Sequence, residues 1–246
     1  DFNNCLTLGL LRNAFATLLD MARELGVDAD RRQRRQHILA HLSDYPTFVR
    51  QGKRVFRLTE RGHEWEDGNN VGLQHVYPGG QGGLGSAGEY LQVARNTFFA
   101  NDRWLDGNGT NSYFPCAARL GVDPELILAN LHRNYDRYLM PNLFSRNHLG
   151  CVENCGLTAN VVHEMFLQGH EGSLRVFPVW NRARDAAFTT LRAYGAFLVS
   201  AQLRGGRLEY VRIVSERGRR LRLHNPYPAG AAVQRDGGGM SIRREP

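Results

Sequence analysis

Residues 142–180 read NLFSRNHLGCVENCGLTANVVHEMFLQGHEGSLRVFPVW, and the pattern changes twice within this stretch. A polar loop carrying Glu153 and Asn154 leads to Thr158, a residue type that caps helices. Apolar residues at helical spacing follow, and Gly169 is placed to end the helix. The alternating apolar residues beyond it indicate a strand. We therefore expect a helical layer followed by a β layer.

Apolar residues at helical spacing predict five further helices before this stretch. They are expected at residues 5–25, at 29–42, from Ser86 onwards, in a short segment ended by Gly121, and from Asp123 onwards. In the first helix Leu10, Leu18 and Leu25 belong to a broad apolar stripe, and Gly26 stands where a C-cap belongs. The third opens with the capping box formed by Ser86 and Glu89. The fifth has Asp123 as N-cap and a proline at its first position.

The remaining segments predict loops and strands. Residues 43–86 are rich in glycine and show little periodicity apart from Val55-Phe56-Arg57-Leu58, so we expect loops there. Strands are expected at 196–201, 208–214 and 220–223, with Arg204-Gly205-Gly206 as a hairpin turn. The predicted fold class is mainly α with a C-terminal β part. Paired helices separated by long polar loops favour a partial α/α toroid over a simple bundle, followed by a small antiparallel β domain.

We expect three parts: residues 1–172 as the toroid portion, 173–224 as the β domain, and 225–246 as a weakly ordered tail.

Composition excludes several classes of protein. The 246 residues, 42% hydrophobic, suffice for a globular core. The sequence contains no run of eighteen apolar residues, so we expect no membrane span and no membrane partner. The net charge of +7 comes almost wholly from arginine, with Lys53 the only lysine. The cluster at 31–35 would suit nucleic acid, but a solvated helix face is the simpler interpretation, so no nucleic-acid partner is expected. The chain starts at Asp1 without a methionine or signal peptide, which indicates processing or a longer parent chain.

Metal and cofactor motifs are weak. His148, Cys151, Cys155 and His163 lie near one another, but their spacing is not that of the usual structural zinc sites. No Walker loop, dinucleotide fingerprint or Gly-x-Ser-x-Gly motif is present in the sequence. We predict neither a metal nor a cofactor.

The order of motifs nevertheless resembles a known family. The run HEMFLQGHEG at 163–172, then SLRVFPVW, then LRAYGAFLVSAQLRGGRLEYVRIVSERG, is similar to the end of the catalytic domain and the β domain of the inverting α-L-fucosidases of glycoside hydrolase family 95. The resemblance implies an (α/α)6 barrel, an oligosaccharide or glycan substrate, and an extracellular or periplasmic location. It also implies that the general acid precedes the region matched by residues 1–25.

Glycoside hydrolysis uses an acid and a base, which inverting enzymes hold about 6.5–9.5 Å apart to admit water. By the resemblance, Glu153 matches the place of the family's basic carboxylate, although an exposed loop glutamate is the alternative. His75 in LQHVYPGG matches a histidine of the sugar pocket, or else it only fixes a loop. Glu64 and Trp65 match a segment in which the indole would stack on a sugar, or else Trp65 anchors a loop.

Two further groups of polar residues are candidates. Asp106, Asn108 and Asn111 in the DGNGTN loop would hydrogen-bond sugar hydroxyls, although the same residues make an ordinary turn. Asn154 stands beside Glu153 and is counted with the substrate-binding residues.

The helix-end residues Glu164, His170 and Glu171 match the family, but we interpret them as structural. The expected function is an α-L-fucosidase-like hydrolase, incomplete in this chain. The alternative is a non-catalytic carbohydrate-binding or structural fragment of such an enzyme.

Overall fold

The computed structural model describes residues 2–65, 68–106, 112–146 and 152–227, with the backbone alone for 69, 152–155 and 157. The helices are α1 (Cys5–Leu25), α2 (Arg32–Ala40), α3 (Gly88–Asn101), α4 (Tyr113–Arg119), α5 (Pro124–Tyr138) and α6 (Val152–Phe166). The strands are β1 (Phe2–Asn4), β2 (Thr47–Arg50), β3 (Lys53–Phe56), β4 (Thr59–Arg61), β5 (Leu167–Gln168), β6 (Arg175–Val176), β7 (Ala186–Ala193), β8 (Phe197–Arg204) and β9 (Arg207–Ser215). Short 3₁₀ helices occupy Ala29–Arg31 and Gly68–Leu73. Helices with small antiparallel sheets and a C-terminal strand region confirm the coarse fold class.

The caps predicted for α1 and α5 are confirmed. At the end of α1, Gly26 adopts φ 67°, which glycine reaches without strain. At the start of α5, the Asp123 side chain accepts a hydrogen bond from the backbone N–H of Glu125 at 2.9 Å, and Pro124 takes the first helical position. Both bounds follow from local chemistry, so the sequence alone locates them.

The buried face of α1 differs from the predicted stripe. Leu8 and Gly9 are buried, because α2 and Gly68–Leu73 pack on that side. Leu18 and Leu25 remain 41% and 69% exposed. By length and composition α1 is also apolar enough to cross a membrane, since its most apolar stretch of 18 residues has a mean hydropathy of 1.2. Core helices and signal sequences meet the same criterion, so the absence of a membrane partner stays a prediction.

The prediction of loops over residues 43–86 is wrong where β2, β3 and β4 form, and β3 includes part of the periodic run at 55–58. β2 and β3 form an antiparallel hairpin whose register joins Thr47 to Phe56, with a turn at Gln51 and Gly52, both at positive φ. β4 pairs with β1, a strand more than fifty residues away in sequence. Strands of three or four residues show too little alternation to be recognised, and pairing with a distant segment leaves no local pattern.

The capping box proposed for α3 is also wrong. The helix begins at Gly88 after Ala87, and no side chain caps it. The Ser86 hydroxyl instead accepts from the N–H of Gly83 at 3.0 Å and donates to a carboxylate oxygen of Glu171 at 3.1 Å. The Glu89 carboxylate accepts from Arg54. Contacts with distant residues thus replace the local cap.

The start and end predicted for α6 are corrected as well. Glu153 and Asn154 lie in its first turn instead of a loop, and Thr158 lies inside the helix instead of at its cap. The helix ends at Phe166, before Gly169. Val161 and Met165 are fully buried, so tertiary packing stabilises the helix. This stabilisation offsets the cost of about 1 kcal/mol that Gly156 imposes inside the helix. Helix-compatible residues before Thr158 extend the helix backwards.

Two apolar clusters form the interior. The first surrounds α3, α4 and α6, and its centre contains the stacked rings of Phe98 and Tyr113, 4.1 Å apart. The second lies under the β7–β8–β9 sheet and includes Phe197 and Val199. Partly buried Phe166 packs against both clusters, as does Trp180. The junction between helical and β parts therefore lies near the end of α6.

The C-terminal sheet confirms part of the prediction. β8 and β9 form the expected hairpin, with Gly205 and Gly206 at φ 54° and 77°. Strand β7, which pairs with β8 across an irregular register, was not predicted. Residues 220–223 are not a strand, because only Leu223 forms an isolated bridge, to Leu174. The expected tail lies outside the described residues from position 228 onwards.

Candidate functional site

A cleft opens where α4, α6 and β7 meet the turn at Tyr77 and Pro78. Its volume is about 250 Å³. The polar and aromatic lining consists of Tyr77, Arg119, Asn160, His163, Glu164, His170, Arg192 and Tyr194. Pro78, Leu167, Gly169 and Ala193 complete the wall. Several polar groups converge in this concave site, which is one feature that ligand sites share.

An ion pair forms the inner wall of the cleft. The Arg119 guanidinium donates to both carboxylate oxygens of Glu164, at 3.1 and 2.7 Å, and both side chains are nearly buried. Its third nitrogen donates to the carbonyl of Val76 at 2.7 Å. Burial opposes the positive charge of Arg119, but hydrogen bonds and charge from Glu164 outweigh it and raise the pKa of the guanidinium. Arg119 is therefore a fixed cation.

Tyr77 connects the turn to α6. Its ring centroid lies 4.7 Å from the Arg119 guanidinium carbon, and its hydroxyl accepts from the Asn160 amide at 3.2 Å. Burial, and then the charge of Glu164, raise the pKa of the Tyr77 hydroxyl. The phenol stays neutral at physiological pH, so the Tyr77 hydroxyl keeps its proton and can donate a hydrogen bond in the cleft.

The segment after α6 is fixed to the glycine-rich loop at 79–86. The Glu171 carboxylate accepts from the backbone N–H of Gly85 at 2.8 Å and from Arg175 at 2.9 Å. A Cβ on Gly83 would lie 2.7 Å from Nε2 of His170, so only glycine fits there. The Glu171 carboxylate therefore binds other groups of the protein, which agrees with the structural role expected for it. Two of the segments that carry the family resemblance, LQHVYPGG and HEMFLQGHEG, therefore border the same cleft, with Tyr77 on one side and Glu164 on the other.

Two predicted site residues, Glu64 and Trp65, contact residues of the β2–β3 region and are not among the residues that line this cleft. Trp65 packs edge-on against Phe48, and the Arg50 guanidinium carbon lies 4.4 Å from its ring centroid. Glu64 is exposed and its carboxylate pairs with Arg57 at 3.0 Å. These contacts with Arg50 and Phe48 are those expected if Trp65 anchors a loop, the second of the two roles considered from the sequence.

His75 is a core residue in this structure. Its side chain is 0% exposed and packs on the rings of Tyr45 and Phe56, with centroids 4.3 and 4.6 Å away. Gly9 of α1 approaches so closely that an added Cβ would lie 2.4 Å from the His75 Cβ. Burial, and then the charge of Arg12, lower the pKa of His75 to about 3. The ring is therefore neutral.

The remaining candidates are only partly described. Asp106 is half-buried, and its carbonyl accepts from the Asn134 amide of α5 at 3.0 Å. Asn108 and Asn111 lie outside the described residues. Glu153 and Asn154 belong to α6, whose backbone places position 153 seven residues before Asn160, about 10 Å or two turns along the axis. Positions two turns apart lie on the same face of a helix.

Sequence reasoning missed Arg119, Tyr77, Asn160 and the β7 residues. Arg119 gave one usable signal, because it ends the apolar run YFPCAAR, and a charge among buried residues requires a partner. Among the described residues no three His, Cys, Asp or Glu side chains lie close enough together to hold a metal ion. His148 and Cys151 lie outside that part of the chain.

Comparison with known proteins adds no assignment: no protein-family model matches the chain, and no curated protein matches it significantly.

Acidification is expected to destabilise the fold through His75. Its folded pKa of about 3 lies below the 6.5 of an unperturbed histidine, so the unfolded chain takes up the proton first. This stability is complete above about pH 6.5 and is lost as pH falls towards 3, with a slope of up to about 1.4 kcal/mol per pH unit. Urea unfolding between pH 7 and 4 measures the slope.

His75→Phe should reduce that slope by up to about 1.4 kcal/mol per pH unit, the contribution of one bound proton. His37→Gln on exposed α2 should leave the slope unchanged. His170, whose pKa burial and Arg119 also lower to about 3, accounts for pH dependence that persists in His75→Phe. Equal slopes in the wild type and His75→Phe would contradict the assignment.

Proposed function

We propose that the chain is part of the catalytic unit of an inverting α-L-fucosidase-like glycosidase, in which its helices contribute a portion of an (α/α)6 toroid. One observation carries the proposal: two of the segments that resemble the family, distant in sequence, line the same cleft, with Tyr77 from LQHVYPGG and Glu164 and His170 from HEMFLQGHEG. Tyr77 also accepts a hydrogen bond from Asn160, three residues before the second segment, and Gly85 and Ser86, shortly after the first segment, bond Glu171 of the second.

In this proposal α6 is the element that positions the chemistry. Its first turn contains Glu153 as the base, and Asn160 and Glu164 lie two to three turns further along, in the cleft. A helix N-terminus favours negative charge, which suits a position that must hold a carboxylate. The partner is an oligosaccharide or glycan, and the general acid comes from outside the regions matched here.

A specific observation favours the alternative of a non-catalytic carbohydrate-binding unit. Glu164 is the single carboxylate among the described residues that line the cleft, and Arg119 engages both of its oxygens. A base must be able to accept a proton from water, and an acid must carry one to donate. Tyr77, Tyr194 and Asn160 would still supply ring faces and an amide for binding a sugar.

The test uses one preparation for two measurements, hydrolysis of an aryl α-L-fucoside and binding of L-fucose by calorimetry. Turnover with inversion at the anomeric carbon supports the fucosidase proposal. Binding without turnover supports the binding unit. A sample that neither binds nor hydrolyses contradicts both for this sugar.

A further inference from the structure

Positive charge is concentrated in the β part of the chain. Residues 173–224 contain eleven arginines and three carboxylates, a net charge of +8. Residues 1–172 contain 17 basic and 19 acidic residues, a net charge of −2. The overall charge of +7 therefore originates in the strand region, and such asymmetry indicates an anionic partner for that region.

Part of this charge lies on the outward face of the β7–β8–β9 sheet, where Arg204, Arg207 and Arg212 are exposed. In β8 the residues Phe197, Val199, Ala201 and Leu203 face the second apolar cluster, and the alternate positions face outward. The register sets Ser200 opposite Arg212 and Gln202 opposite Tyr210. Beyond the irregularity after Gln202, Arg204 lies opposite Arg207. Arginines, hydroxyls and an amide thus share one exposed surface.

Several arginines of this region are available for a partner. Arg175, Arg184, Arg192, Arg204 and Arg219 already pair with carboxylates, Arg204 with Glu209 of β9. Arg207 and Arg212 are exposed, and neither forms an ion pair with any described residue. Five residues of strand separate them, about 17 Å, so the free charges extend along β9. Tyr210, 42% exposed, lies between them in sequence.

We infer that this outward face binds an anionic polysaccharide, that is, a glycan bearing carboxylate or sulfate groups. A guanidinium binds such groups with two parallel hydrogen bonds, and the Tyr210 ring offers an apolar face for a sugar. Single-stranded nucleic acid is recognised by several stacked aromatics, whereas Tyr210 is the one aromatic at the described outward positions of β8 and β9. The choice of a glycan also rests on the proposed function.

Polygalacturonate is the acidic probe, with neutral dextran and a short single-stranded DNA as comparisons, all measured by biolayer interferometry on the whole chain. We expect binding to polygalacturonate that weakens as salt rises, and none to dextran. Arg207→Gln and Arg212→Gln should each weaken it about two- to fivefold, because exposed charge contacts are individually modest. Arg34→Gln, an exposed arginine on α2 in the acidic part, should leave it unchanged.

Three outcomes would overturn the inference: no binding to polygalacturonate, equal loss in Arg34→Gln, or tighter binding to DNA than to polygalacturonate. Thermal unfolding checks that each variant folds, which is expected because all three side chains are exposed. Fucoside hydrolysis is measured separately in the same variants. Weaker polygalacturonate binding in Arg207→Gln and Arg212→Gln with intact hydrolysis supports this surface, and unchanged binding in both variants refutes it; neither result depends on the proposed enzymatic function.

Discussion

Replacing Glu153 by glutamine is expected to lower kcat for an aryl α-L-fucoside by about 10² to 10⁴, in whichever form of the protein hydrolyses it. Glutamine keeps the size and most hydrogen bonding of glutamate but removes the charge that draws the proton from the attacking water. The measurement is the steady-state rate under saturating substrate. KM should change much less, because the lost interaction acts in the transition state.

Glu89→Gln is the matched control, because Glu89 is the second residue of α3 as Glu153 is of α6. Within the described part of the chain Glu89 pairs only with exposed Arg54, so its loss should cost at most about 1 kcal/mol of stability and leave kcat intact. A folded Glu153→Gln protein with near-normal kcat would remove Glu153 from the mechanism. The search for the base would then move to Glu64 and Asp106.

The elements predicted best are those whose signals are local. Asp123 and Pro124 give the start of α5, and two glycines give the β8–β9 turn, because a cap or a tight turn depends on neighbouring residues. The start of α6 was misplaced for the opposite reason. Thr158 has the chemistry of a cap, yet packing of Val161 and Met165 in the core supports a longer helix.

The candidate site was harder to predict because its partners are distant in sequence. Arg119 and Glu164 are 45 residues apart, and Tyr77 and Asn160 are 83 apart. Residue types at these positions permit many partners, and only the packing of α4 against α6 selects these. His75 shows the converse, since a histidine in a glycine-rich loop suggests a site but lies in an aromatic core here. Side-chain chemistry therefore indicated candidates, and packing determined their surroundings.

The Arg119–Glu164 pair is expected to dominate the stability of the cleft. Glu164→Ala leaves a buried guanidinium without its carboxylate, and breaking a buried pair in this way typically costs about 3–5 kcal/mol. Glu216→Ala, which removes the exposed partner of Arg192, should cost far less, because exposed ion pairs are screened by solvent. Urea unfolding measures both. Equal costs for the two variants would contradict the buried character of the pair.

The double variant Arg119→Met with Glu164→Leu separates charge from packing. Two apolar side chains of similar volume should recover most of the stability lost in Glu164→Ala, because the desolvation cost of the two ions disappears together with their attraction. Arg119 also holds the Val76 carbonyl and lies against Tyr77, so the turn should still loosen in the double variant. Faster amide hydrogen exchange at residues 75–80, despite restored global stability, is the expected result. Unchanged exchange there would mean that Tyr77 and its hydrogen bond with Asn160 hold the turn without the guanidinium.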